Sequence, residues 1–141
     1  MREINKLIIG NKPYDLISNS VKMFLYQCFN IFMLRNKIDN WDKNRLLLQA
    51  EQLLQLKLEL ESTLEVLLFA GYEIPNEKHI QKHHASYQRI NFRGKKYVLD
   101  YRTSEFGRLA FYIYVLIDVL NSSYIEGREI YLVAQENRNN R

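Results

Sequence analysis

The sequence predicts an α+β protein. An N-terminal antiparallel helical hairpin is followed by a small antiparallel β-sheet, formed by a hairpin at 87–102 and a strand at 128–134, with a buried helix at 105–120. Three observations carry this. Apolar residues recur at helical spacing through the first half of the chain, with Leu46, Leu53, Leu60 and Leu67 repeating every seven positions. Two-residue alternation replaces that period on both sides of Arg93-Gly94-Lys95-Lys96. A run that is apolar apart from Asp118, Leu109–Leu120, then follows a helix-start signal at Thr103, Ser104 and Glu105. With 141 residues, 47% of them hydrophobic, a single domain buries a core without disulfides or metal.

Residues 1–12 read as a polar lead. Pro13 and Asp15 mark the start of a first helix over about 15–36. Ile17, Val21, Phe24, Cys28 and Phe32 share one face, while Met23, Leu25, Tyr26, Ile31 and Met33 make its second half apolar nearly all round. Such a helix has to be covered on more than one side. After a short connection at Lys37 and Ile38, Asp39 or Asn40 caps a second helix running to Ala70, with Gly71 as its terminator and Pro75 beyond. Its leucine seam packs on the first helix as the nearest partner. Lys57 and Glu61 interrupt the seam and read as a solvated turn, since buried charge is costly. Leu48, Leu56, Val66 and Phe69 lie off the seam and predict a further contact, with the sheet or with a second copy.

Gly94 at the first central position of Arg93-Gly94-Lys95-Lys96 predicts a type II′ turn. That register sets Phe92 against Tyr97, Ile90 against Leu99 and Arg89 against Asp100. Ile90, Phe92, Tyr97, Leu99 and Tyr101 then form a core face, with an opposite-charge pair on the other. Asn121–Ser123 and Gly127 predict a turn after the buried helix, and the strand at 128–134 joins the hairpin as its third member. Residues 135–141 have no apolar anchor and are expected to be disordered.

The formal net charge of +4 is concentrated rather than spread. Residues 76–102 hold seven Lys/Arg and two Asp/Glu, a local balance of 7 − 2 = +5. A patch of this sign implies an acidic partner. The expected binding surface is Lys78, Lys82, His83, His84, Tyr87, Arg89, Arg93, Lys95, Lys96 and Arg102, with the cations tracking phosphates and Tyr87 stacking on a base. The function expected is therefore a non-enzymatic nucleic-acid-binding accessory protein, for RNA or a ribonucleoprotein.

Two alternatives use the same region. One is an interaction adaptor or inhibitor docking its basic hairpin on an acidic protein surface. The other, less favoured, is a metal-independent ribonuclease in which His83 or His84 moves protons beside Arg89, Lys95 or Arg102. His79 and His83 have the four-residue spacing of a two-histidine metal site, but the glutamate of a zinc protease motif is missing, and neither metal nor cofactor is expected. There is no glycine-rich phosphate loop, CxxC pair or GxSxG. Cys28 reads as a reduced, buried small hydrophobe of a cytoplasmic protein. Leu16–Leu34 is interrupted by Asn19, Lys22, Gln27 and Asn30, so no membrane span is expected. The surplus apolar helix surface predicts a homo-oligomer through the N-terminal helices.

Overall fold

The computed structural model describes residues 2–15 and 18–136. The protein is α+β, with helices beside two antiparallel sheets. Two compact units make up the chain: residues 1–59 with 119–141, and residues 60–118.

The first unit is built on a four-stranded sheet in the order β2-β1-β6-β3. Its strands are β1 (Arg2–Ile9), β2 (Lys12–Pro13), β3 (Arg45–Leu47) and β6 (Ile130–Glu136). The long central pair β1 and β6 runs in register from Arg2 opposite Glu136 to Ile9 opposite Ile130. Residues 2–9 are therefore a central strand and not a polar lead. A register shift between Ile4 and Lys6 explains why the strand is hard to read: the irregularity breaks the two-residue alternation, so that Ile4 and Leu7, three apart, are both buried. Gly10, at φ +66, closes the turn into β2.

Helix α1 (Asn19–Arg35) begins later than the sequence suggests. It buries Val21, Leu25, Phe29, Phe32 and Met33, while Met23 is 73% and Leu34 60% exposed. Ile17, expected on its core face, lies outside the described residues. Between the helices, residues 40–49 are not helical. Asp42 and Arg45 exchange backbone hydrogen bonds of 2.8 and 3.1 Å around Lys43, whose φ is +59, and β3 then pairs with β6. Leu46 and Leu48 are buried by strand alternation, a period that the seven-residue leucine spacing conceals.

Helix α2 (Ala50–Gly71) therefore starts well after the position expected from a cap at Asp39 or Asn40. Gln49 precedes it, and its backbone N–H donates to Gln52 Oε1 at 2.9 Å, half of a capping box. Helix α4 (Glu105–Glu126) includes the expected 105–120 and continues through Asn121–Ser123, which do not form a turn. It stops at Gly127, φ +71, where the Arg128 N–H reaches back to the Ser123 carbonyl at 2.9 Å. That 6→1 bond needs a left-handed residue at 127, which glycine adopts without strain. By length and composition α4 also passes for a membrane-crossing helix, but Ala110, Ile113, Leu116 and Leu120 along it are fully buried core.

The second unit contains the hairpin β4 (Tyr87–Phe92) and β5 (Lys95–Asp100), which form a sheet of their own. The strand expected to join it, β6, pairs with β1 and β3 instead. The longer partner surface explains this, because β1 offers seven paired residues on one side of β6. Gln135 and Glu136, expected in a disordered tail, extend that pairing to Arg2. Residues 137–141 lie outside the described residues.

Candidate nucleic-acid interface

The hairpin register fixes what the basic segment can present. Phe92 is opposite Lys95, so the two-residue loop is Arg93-Gly94, with φ of +51 and +78. Two positive values make a type I′ turn, whose twist matches that of the strands. The expected type II′ turn at Gly94-Lys95 is displaced by one residue, and every cross-strand partner by two. Arg89 therefore faces Val98, not Asp100, and Asp100 faces Tyr87. A shift of two leaves each side chain on its original face. Ile90, Phe92 and Leu99 are buried as expected, at 5%, 7% and 2% exposure. Tyr97 meets the ring of Tyr72 edge-on at 4.8 Å, and Tyr101 lies 5.2 Å from the ring of Phe111.

The opposite face carries Tyr87, Arg89 and Asn91 on β4 with Asp100, Val98 and Lys96 across from them. The short helix α3 (Glu77–Lys82) is set by Asn76, whose side chain accepts from the Lys78 N–H at 2.9 Å. It brings His79 to this face: the Tyr87 hydroxyl and His79 Nδ1 are 2.6 Å apart, and the rings of His79 and His83 are centred 4.5 Å apart. His79 was absent from the surface expected from sequence. Its four-residue spacing from His83 was the available signal, and it reports a ring contact that supports Tyr87. Burial, then the negative charge of Asp100, pushes the Tyr87 hydroxyl above its ordinary value.

Asp100 is an organiser rather than a charge for a partner. Its carboxylate accepts from Ser86 Oγ at 2.7 Å, the Thr103 N–H at 3.0 Å and the Arg102 N–H at 3.2 Å, and from the Thr103 hydroxyl. Burial raises its pKa, and these bonds together outweigh burial and bring it down to about 2. The chain is thereby turned from β5 into α4, where Gly107 approaches so closely that an added Cβ would lie 2.1 Å from the Asp100 carbonyl oxygen.

The structure divides the ten expected residues. Tyr87, Arg89 and Lys96 share the outer hairpin face, next to α3 with Lys78, Lys82 and His83. His84 is exposed in the 3-10 turn His84–Ser86 that leads into β4. Lys95 lies on the other face, opposite Phe92. Arg102 folds over the ring of Tyr101, 5.6 Å from its centre, with Nε 3.2 Å from that hydroxyl. Arg93 turns back to α2, where it meets the Glu65 carboxylate and lies 4.0 Å from that of Glu61. Among the described residues, no ion pair engages Lys78, Lys82, Arg89, Lys95 or Lys96. No group of three or more His, Cys, Asp or Glu side chains able to hold a metal ion occurs among them either. Comparisons with protein-family models, with curated proteins and with solved structures return no match.

Proposed function

We propose that the protein binds nucleic acid without catalysing a reaction, through the outer face of the hairpin and the adjoining α3. The observation supporting this reading is the outer face shared by half-buried Tyr87 and exposed Arg89 and Lys96, with Lys78, Lys82 and His83 at one end. The cations supply phosphate contacts that carry no sequence information. Tyr87, held by His79, offers a ring to a base, a contact every base accepts. RNA is the favoured ligand because unstacked bases of single strands reach such a ring.

Four phosphate contacts, from Lys78, Lys82, Arg89 and Lys96, predict a slope of about −3 for log affinity against log salt on a single strand. Fluorescence anisotropy with a labelled single-stranded RNA measures it. Absence of binding at about 50 mM salt, or affinity indifferent to salt, refutes the reading.

A second reading concerns assembly. Met23 and Leu34 on α1 are 73% and 60% exposed, and Val66 and Phe69 on α2 are 66% and 95% exposed. Single exposed apolar residues are ordinary, but a phenylalanine at this exposure contributes nothing to the monomer's core. Self-association through the N-terminal helices accounts for them, and a monomeric mass of 17.0 kDa by light scattering at tens of micromolar would refute it.

A further inference from the structure

The hairpin has two edges, and their outward backbone groups are taken up to different extents. Hydrogen-bonded and open pairs alternate along an antiparallel ladder. The Tyr101 N–H donates to the Ser86 carbonyl, and the Val98 N–H points away from β4 to reach Tyr72 Oη at 3.1 Å. The pairs Arg89–Val98 and Asn91–Lys96 are therefore the open ones, and the backbone groups of Arg89 and Asn91 point out of the sheet. On the β5 edge Tyr72 takes the outward Val98 N–H. On the β4 edge the Tyr87 N–H is taken by the His84 carbonyl. Among the described residues, no hydrogen bond takes the outward groups of Arg89 or Asn91. Both residues are exposed, and the strand carries neither proline nor a bulge to blunt it.

We propose that this edge of β4 accepts an extended acidic segment of another protein as a third strand. Strand addition gives affinity through the main chain and specificity through alternate side chains. A residue placed opposite Arg89 falls on the outer face, beside Arg89 and on the same side of the sheet as Lys96, where carboxylates complement the charge. Residues of the segment placed opposite Ile90 and Phe92 fall on the inner face, where apolar side chains match those two buried neighbours. The matching segment therefore alternates acidic and apolar residues. A second copy fits less well: pairing two β4 edges so that Arg89 meets Asn91 gathers two Arg89 and two Lys96 on one face without a carboxylate between them.

The probe is a short capped peptide of alternating glutamate and valine, added to the full chain. Hydrogen exchange at the Arg89 and Asn91 amides should slow about tenfold or more at saturation, with Ile90 and Tyr97 unchanged. The same peptide with lysine for glutamate, or N-methylated at alternate residues, should not bind. Asn91→Pro removes one outward donor at an edge position that proline tolerates, and should abolish peptide binding while leaving RNA affinity intact. Loss of RNA binding alone therefore affects only the nucleic-acid reading. Equal binding of the N-methylated peptide overturns the strand proposal, and that arm stands even if Asn91→Pro does not fold. Protection of Arg89 and Asn91 that grows with protein concentration in the absence of peptide overturns it in favour of a second copy.

Discussion

The guanidinium of Arg93, at the tip of the hairpin, is bonded to the carboxylate of Glu65 on α2 and withdrawn from the charged face beside it. The turn itself produces this arrangement, because Arg93 occupies the first left-handed position, at φ +51, rather than a strand end. With Arg93 already paired, its removal should barely change RNA affinity. Arg93→Ala should leave the salt slope within error, whereas Arg89→Ala or Lys96→Ala should each flatten it by about 0.7. The ion pair is half exposed and contributes at most about 1 kcal/mol, so the Arg93→Ala melting temperature should fall by only a few degrees. A larger loss of affinity in Arg93→Ala than in Arg89→Ala would show that the guanidinium leaves Glu65 to meet the ligand.

Gly94 tests the turn type with little interference from packing. Its φ is +78, and no heavy atom lies within 4 Å of where a Cβ would stand. Gly94→Val should therefore cost about 1–3 kcal/mol through backbone conformation, the range expected for a strained left-handed residue. Chemical denaturation measures it. An unchanged midpoint would mean that the turn relaxes to a form that tolerates a side chain.

Arg89 and Asp100 test the register. Since Arg89 faces Val98, Arg89→Glu should change stability by less than about 0.5 kcal/mol, as for an ordinary surface position. Asp100→Lys should cost several times more, because it breaks the bonds to Ser86, Arg102 and Thr103. Comparable losses in the two variants would restore them as cross-strand partners.

These residues show how far the sequence is legible. The inner face of the hairpin follows from alternation, and a register error of two residues leaves it intact. The charge pair does not survive the same error, since a partner depends on the turn and not on the face. Strand β1 was hidden because its irregularity places Ile4 and Leu7 three apart, outside any two-residue count. At 40–49, leucines spaced by seven imitate a helix that the ladder with β6 overrides. For the site, charge density located the segment but not the direction of each side chain. Arg93 is taken up by Glu65, 28 residues away in sequence, and Arg102 by the adjacent Tyr101, a contact that neither alternation nor charge density reveals.

Gly107 measures the close approach of α4 to the end of β5. A methyl group there would stand 2.1 Å from the Asp100 carbonyl oxygen and 2.7 Å from its carbonyl carbon, so backbone has to move. Gly107→Ala should destabilise by about 3 kcal/mol, the upper end of overpacking, despite alanine's better helix propensity. Thermal melts against wild type decide it, and a stabilised variant would refute the close approach.

Asp100 also gives the protein an acid-sensitive joint. Its carboxyl titrates at about 2 in the folded chain against an ordinary 3.8, so the folded state binds its proton less readily than the unfolded chain does. A depressed folded pKa stabilises above the unfolded value, and that contribution is lost as pH falls from about 4 through about 2. The carboxylate is partly solvated, so the effect is discounted to about 1 kcal/mol. Asp100→Asn keeps the shape but loses the charge on which the Ser86 and Thr103 hydroxyls and the two backbone N–H groups converge. Its deficit against wild type should be largest at pH 7, constant down to about pH 4, and smaller near pH 2, where the wild-type carboxyl is itself protonated. Denaturant midpoints of both proteins across that range give the comparison. A deficit that stays the same at pH 2 and pH 7 would show that the cost of the substitution is steric, and that the charge on Asp100 does not hold the turn between β5 and α4.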